Sequence, residues 1–189
     1  MIFQVQNMAG IQVVEMRGEI INEDPKAFAK LMEINLRKNV STIFKVHSAG
    51  GSLPAALAMA LSMTNFNNEL NLSQKEIITY VDEGAHCVSA CLVLFNIGNN
   101  RFAARTAQFG FHSGTHNGVQ NAQLREIYLD TFYKDGIDPQ WIQKNMWMFL
   151  TTEITLKTAI QLLNEKSGFF RAQSYIQSFP NLIELINKK

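Results

Sequence analysis

The sequence lacks a strong net charge, a cysteine framework and a long uninterrupted apolar segment. Its 189 residues carry a formal net charge of only +1, so no electrostatic argument favours nucleic acid or an anionic membrane as a partner. The longest apolar segments, residues 53–63 and 88–97, are interrupted by small or polar residues and are too short to span a membrane. We therefore expect no nucleic-acid partner and no membrane span.

The sequence also has few cysteines and histidines, two and four respectively. Cys87 and Cys91 are too few for a disulfide framework and lack the further ligands of a zinc site. We interpret them as packing thiols that an oxidising compartment would join. His112 and His116 are four residues apart, but Gly114 and its neighbours make a helix there improbable, so they should not share a metal-binding face. We expect no metal and no organic cofactor.

What is present is typical of one folded domain. Apolar residues make up 47% and charged residues 17% of the chain, which is the composition of an ordinary globular protein. We expect residues 1–189 to form a single domain. Patterns of apolar residues predict strands at 11–16, 42–46 and 77–81, with helices at 27–36 and from the 48–52 turn to residue 63. This alternation predicts a layered α/β fold.

The remaining segments are predicted from the same patterns. Residues 65–74 are rich in asparagine and glutamine and are predicted to form a surface loop. A helix is predicted at 87–95, with short strands near 102–103 and 109–111. After residue 118 the periodicity becomes helical, with helices predicted at 120–134, 138–149, 152–164 and near 175–187. The domain should therefore have a core at about 11–118 and a helical part at about 119–189.

Three of these segments together suggest a serine hydrolase. Ser89 lies where a loop ends and an apolar helix is predicted to begin, while His112 and the Gly50-Gly51 pair each follow a predicted strand. A serine is a weak nucleophile until a base accepts its proton, and the oxyanion that forms needs fixed backbone N–H donors. Ser89, His112 and the Gly51 amide have the chemistry for these three roles, and the Ala90 amide would face the same oxyanion.

Each of these residues also has a simpler interpretation. A glycine pair after a strand is more often a tight turn than an oxyanion site. An isolated serine before a helix is most often a cap, and a lone histidine that ends a strand is often a hydrogen-bonded structural residue. None of the three residues supports the hydrolase hypothesis alone.

Five short segments, taken in order, resemble a known family. The segments are Arg17-Gly18-Glu19-Ile20, His47-Ser48-Ala49-Gly50-Gly51-Ser52, Cys87-Val88-Ser89-Ala90-Cys91, Arg101-Phe102-Ala103-Ala104 and Gly110-Phe111-His112. The last four resemble the proteolytic subunit of Clp protease within the wider crotonase-like group. The first three look more narrowly like the periplasmic ClpP-like branch of that family. The likeness covers roughly residues 13–164.

The resemblance implies a fold and an activity. The fold would be the ClpP/crotonase-like layered β-β-α superhelix with a C-terminal helical segment. The activity would be that of a serine peptidase acting on a peptide or protein, in which Ser89 attacks and His112 accepts and returns the proton. The amides of Gly51 and Ala90 would hold the oxyanion. Family members assemble into rings, so a homo-oligomer is also implied.

The chain departs from the family pattern at the third catalytic residue. The family has an aspartate before a late Phe-Leu-Ser/Thr segment, and in the matching segment, residues 146–151, Trp147 stands in its place. Asn145, Asp138 or Glu153 would be a substitute, or His112 would work in a dyad without one; the sequence leaves these alternatives open. Two further departures are Ala49, where the family usually has proline, and the insertion at 65–74.

Two other functions remain as alternatives. The first is a catalytically degraded relative whose helices at 120–164 serve assembly or partner binding, which Trp147 suggests. The second is a crotonase-type acyl-CoA enzyme, although the sequence shows no convincing basic site for adenine or phosphate. The close branch implies a periplasmic or exported protein, whereas the first residues show no signal-peptide pattern.

Overall fold

The structure is a computed structural model that describes residues 1–37, 39–71, 76–116, 119–170 and 172–188. The strands are β1 (Ile2–Met8), β2 (Ile11–Arg17), β3 (Thr42–His47), β4 (Ile77–Val81), β5 (His86–Val88), β6 (Asn100–Ala103), β7 (Gln108–Phe111), β8 (Thr115–His116), β9 (Val119–Gln120) and β10 (Thr155–Thr158). The α-helices are α1 (Asp24–Asn35), α2 (Leu53–Asn71), α3 (Cys91–Asn96), α4 (Ala122–Lys134), α5 (Pro139–Lys144), α6 (Ala159–Asn164) and α7 (Phe179–Asn187). Two short 3-10 helices lie at Met146–Leu150 and Gln173–Tyr175.

The main sheet has five strands in the order β1-β2-β3-β4-β6. The strands β2, β3, β4 and β6 are parallel to one another, and β1 pairs with β2 in the antiparallel direction. Parallel neighbours need crossover connections, which α1, α2 and α3 provide. The chain is therefore an α/β protein, as the alternating pattern predicted.

An apolar layer covers each face of this sheet, and successive side chains along a strand point alternately into the two layers. Ile43 packs in a cluster with Tyr80 and with Leu182 of α7. The next residue, Phe44, packs in the larger cluster with Phe28 of α1 and residues of the other crossover helices. A strand buried on both faces reads as a near-continuous apolar run rather than an alternation, which is why the sequence predicted the strands at 42–46 and 77–81 correctly.

A second sheet of three strands, in the order β10-β7-β5, positions the candidate site. The strand β5 is parallel to β7, with Val88 opposite Gly110, while β10 is antiparallel to β7. A single bridge between Ser48 and Cys87 connects this sheet to the end of β3. The segments that follow β3, β5 and β7 therefore meet at one place.

Two predictions about the middle of the chain are wrong. The part of the predicted loop at 65–71 is the end of α2, and residues 72–74 lie outside the described residues. Met63, Phe66 and Leu70 follow one another at helical spacing and are buried, so they anchor α2 despite the polar residues between them. The predicted helix at 87–95 begins only at Cys91. Cys87 and Val88 belong instead to β5, which pairs with β7.

The late segments are shorter and more varied than their helical periodicity predicted. The predicted helix at 138–149 is α5 followed by a 3-10 helix, and the one at 152–164 is β10 followed by α6. The first of these strand residues, Thr155, pairs with Phe111 of β7, and such a non-local pairing is invisible in local periodicity. The strand β1 was not predicted. Within the described ranges, no helix combines the length and apolar character needed to cross a membrane.

Candidate active site

Ser89 and His112 follow neighbouring strands. Ser89 is the first residue after β5, and His112 is the first residue after β7. Because these strands are parallel and in register, their carboxyl ends lie at the same edge of the second sheet. The Ser89 N–H donates to the carbonyl of Gly110 at 2.9 Å, which continues the ladder by one residue. The fold thus brings together two residues that are 23 apart in the sequence.

Ser89 has a strained main chain. Its φ is +55°, which few residues other than glycine adopt, and the left-handed region costs about 1–2 kcal/mol for an L-residue. Its hydroxyl does not cap the following helix, since α3 has Ala90 at its N-cap and no side-chain cap bond. The simpler interpretation of Ser89 as a helix cap is therefore wrong. Strain of this kind is often found at functional sites, where the surrounding structure maintains it.

The glycine pair lies against the Ser89 turn. A Cβ at Gly50 would lie 2.7 Å from the Val88 carbonyl oxygen and 2.8 Å from the Ser89 Cβ, so only glycine fits there. Both glycines have positive φ, +98° at Gly50 and +131° at Gly51. The Gly50 carbonyl accepts a hydrogen bond from the Ile20 N–H at 2.8 Å, which fixes the peptide that links the two glycines.

Two backbone amides at this turn remain unpaired. Among the residues that the structure describes, neither the Gly51 N–H nor the Ala90 N–H has a hydrogen-bond partner. Ala90 is buried and Gly51 is exposed. A buried amide without a protein partner is uncommon. Amides beside a serine that lack protein partners are the donors that a developing oxyanion requires.

All four predicted site residues line one cavity. A cavity of about 550 Å³ is bordered by Ser89, His112, Gly51 and Ala90. Its size accommodates several atoms of a substrate chain. None of its described lining residues is an aspartate, glutamate, lysine or arginine. The rest of the lining is small, polar or apolar: Asn22, Ala49, Ser52, Leu53, Pro54, Gly114, Thr115, Leu124 and Tyr128.

His112 is half-buried and neutral near neutral pH. Burial lowers the pKa of its imidazole below the usual 6.5, and a hydrogen bond with the Ser113 backbone acts in the opposite direction. A neutral imidazole can accept a proton. Within the described ranges, Ser89 takes part in side-chain hydrogen bonds only through its carbonyl, and none joins its hydroxyl to His112. Such contacts are often long before substrate binds.

Trp147, at the place of the family's aspartate, does not border this cavity, and neither do the possible substitutes Asp138, Asn145 and Glu153. Trp147 is 56% exposed. The Asp138 carboxylate accepts a hydrogen bond from the backbone N–H of Trp141 at 2.7 Å. The side-chain amide of Asn145 donates to the backbone carbonyl of Trp141 at 2.9 Å. Asp138 and Asn145 border a separate depression of about 380 Å³. Both side chains therefore have structural partners away from His112.

The segment that does run beside His112 is the one that contains Glu153. The N–H of Ser113 donates to the Thr151 carbonyl at 2.7 Å, so residue 151 lies next to the end of β7. Glu153 follows two residues later but is exposed and does not line the cavity. Within the described ranges, none of the residues that line the cavity beside His112 carries a carboxylate.

The two cysteines enclose the Ser89 turn. The structure joins Cys87 to Cys91 in a disulfide, the form expected in an oxidising compartment, and does not leave them as two free packing thiols. The turn folds back between β5 and α3 and brings the two Cα atoms to 5.2 Å, within the range that a disulfide spans. Both side chains are fully buried. The resulting ring contains Ser89 and Ala90.

Sequence reasoning missed one residue of this site, Tyr128 of α4. Its hydroxyl donates to the Ser89 carbonyl at 2.9 Å. The sequence carries no signal for this contact, because a tyrosine within an amphipathic helix is typical of core packing. The described residues contain no group of three or more potential metal ligands. Residues 117 and 118, on which the prediction for His112 and His116 partly rests, lie outside the described residues.

A scan against protein-family models and a search of the curated proteins both returned no match for this chain.

Proposed function

We propose that this chain is a ClpP-like serine hydrolase that cleaves peptide bonds, with a ClpP/crotonase-like fold. Ser89 is the nucleophile, His112 is the general base, and the Gly51 and Ala90 amides form the oxyanion hole. The proposal requires no metal and no organic cofactor. Its substrate is a peptide or protein, and the active form is a homo-oligomer, which the family resemblance implies.

One observation carries this proposal. A serine with a strained main chain, an imidazole from the adjacent strand and two unpaired amides all border a single cavity. Each of these features alone has a structural explanation. Their coincidence is the arrangement that acyl transfer needs, because the nucleophile, its base and the oxyanion donors must surround one reacting carbonyl.

The proposed reaction follows from these positions. The Ser89 hydroxyl transfers its proton to His112 as its oxygen attacks the carbonyl carbon of the substrate. The carbonyl electron pair moves to oxygen, and the Gly51 and Ala90 amides stabilise that charge. The intermediate then collapses, the C–N bond breaks, and the leaving amine takes the proton from His112. Water attacks the acyl-enzyme in the same way and releases the acid.

The proposed enzyme works as a dyad, so turnover should be slow. A carboxylate beside the histidine orients the ring and stabilises its charged form, and replacing it by the isosteric amide costs on the order of 10⁴ in kcat in the serine-protease case. Among the described residues, no carboxylate lines the cavity beside His112. Assays should therefore use activated esters and long incubations.

Labelling with a fluorophosphonate tests the nucleophile. Wild-type protein should gain one phosphonyl group on the peptide that contains Ser89, as read by mass spectrometry, and Ser89→Ala should gain none. The matched control is Ser62→Ala, which removes a hydroxyl from α2 at a residue that does not line the cavity. Persistent labelling of Ser89→Ala, or no labelling of well-folded wild type, would count against the proposal.

A second candidate function is a catalytically degraded relative that serves assembly or partner binding. Within the described residues, it is favoured by a cavity lining without a carboxylate and by the absence of a Ser89–His112 hydrogen bond. Ester or peptide turnover by wild type that falls in His112→Ala excludes this candidate. Size-exclusion chromatography with light scattering would measure the oligomer that both candidates share.

A further inference from the structure

The carbonyl of Ser89 is held at two points. It accepts one hydrogen bond from the Leu92 N–H of α3 and one from the Tyr128 hydroxyl of α4, both at 2.9 Å. The first bond is the ordinary start of a helix. The second comes from a different element, 39 residues away in the sequence. It therefore ties the nucleophile turn to α4.

The same peptide carries a proposed oxyanion donor. The Ser89 C=O and the Ala90 N–H belong to one peptide unit, which is planar, so the direction of the carbonyl sets the direction of the amide on its other side. A hydrogen bond accepted by the carbonyl also polarises the peptide and strengthens the N–H as a donor. Tyr128 thus donates a hydrogen bond to the carbonyl end of the peptide whose other end carries the unpaired Ala90 N–H.

Tyr128 is itself firmly placed. It is only 4% exposed, and its ring lies 4.7 Å from that of Phe132 and 6.2 Å from that of Phe149, measured between centroids. Burial raises the pKa of its phenol well above the usual 10. The hydroxyl therefore keeps its proton and acts as a donor near neutral pH.

We infer that Tyr128 is a positioning residue that aligns the Ala90 N–H in the oxyanion hole through its hydrogen bond to the Ser89 carbonyl. This inference rests on the proposed function of the site. It assigns to α4 a part in the chemistry beyond packing. It also explains why Ser89 keeps a left-handed main chain, since that conformation presents its carbonyl to α4 and its amide neighbour to the cavity.

The test compares Tyr128→Phe with wild type in the hydrolysis of p-nitrophenyl butyrate. The variant keeps the ring and its aromatic contacts, and the Ser89 carbonyl keeps its bond from Leu92, so the protein should fold. We expect kcat to fall about three- to tenfold, the size of one lost neutral hydrogen bond, with KM unchanged. The pH midpoint of kcat/KM should stay in place, because His112 is not touched. The control is Tyr133→Phe on the same helix, at an exposed side chain, which should match wild type.

A second measurement separates alignment from a general structural role. Phenylboronic acid forms a tetrahedral adduct with a serine, and one of its oxygens occupies the oxyanion position. Its affinity should fall by the same factor as kcat in Tyr128→Phe. An unchanged kcat, a loss that appears only in KM, or an equal loss in Tyr133→Phe would overturn the inference and leave the proposed hydrolase standing. Wild type that neither turns over ester nor reacts with fluorophosphonate would overturn both.

Discussion

The close approach of Gly50 to the nucleophile turn predicts a measurable cost for one methyl group. In Gly50→Ala, the new Cβ would lie 2.7 Å from the Val88 carbonyl oxygen, 2.8 Å from the Ser89 Cβ and 3.3 Å from the Ala90 nitrogen. The residue is buried and two of these three neighbours are backbone atoms, so the clash cannot be relieved by a side-chain rotation alone.

The expected magnitude has two parts. An alanine at φ +98° pays about 1–2 kcal/mol for its conformation, and overpacking a well-packed site costs about 1–3 kcal/mol more. Gly50→Ala should therefore lower the free energy of unfolding by about 2–5 kcal/mol. A domain of this size is typically stable by about 5–15 kcal/mol, so most of the variant should remain folded.

A second glycine separates the two parts. Gly84 is exposed, has φ +67°, and would have no heavy atom within 4 Å of an added Cβ. Gly84→Ala should therefore cost only the conformational part, about 1 kcal/mol. Urea unfolding of both variants measures the difference, which should be at least about 1 kcal/mol and is the cost of the clash.

The same substitution should lower activity in the folded fraction. The clash must displace the Ser89 turn, and a displacement of about 1 Å at a reacting group can cost on the order of 100-fold in rate. The fluorophosphonate labelling rate, corrected for the folded fraction, should fall in Gly50→Ala and not in Gly84→Ala. Equal stability and equal labelling of the two variants would refute the close approach on which the oxyanion geometry depends.

Two further predictions concern the residues around Ser89. The kcat/KM for ester hydrolysis should rise with pH around a midpoint below 6.5, because burial lowers the pKa of His112 and only its neutral form accepts the serine proton. Because the pKa of His112 is lower in the folded protein, its imidazole binds more protons in the unfolded chain just below pH 6.5. The free energy of unfolding should therefore decrease as the pH falls through that range. A midpoint of kcat/KM above pH 7 would contradict the assignment of His112 as the base. Replacing both cysteines, Cys87→Ala with Cys91→Ala, should lower the free energy of unfolding by about 2 kcal/mol, because a five-residue ring no longer restricts the unfolded chain. Urea unfolding of the double variant checks this, and unchanged stability would show that the bond contributes nothing.

The sequence predicts correctly those strands and helices that a local pattern of apolar residues specifies. The strands at 42–46 and 77–81 were predicted correctly because buried parallel strands are continuous apolar runs. The end of α2 was mistaken for a loop because its polar residues outnumber the anchors Phe66 and Leu70. The strand β10 was mistaken for a helix because only its pairing with β7 makes it a strand.

The sequence by itself determined the α/β class and named the residues of the candidate site, because apolar periodicity and ordered motifs are properties of the chain. It could not determine whether Ser89 and His112 border the same cavity, because that depends on the register of β5 against β7. It also could not show the left-handed Ser89, the Cys87–Cys91 bond or the Tyr128 contact. Each of these is a distance or dihedral angle set by non-local packing, and only the tertiary structure decides such quantities.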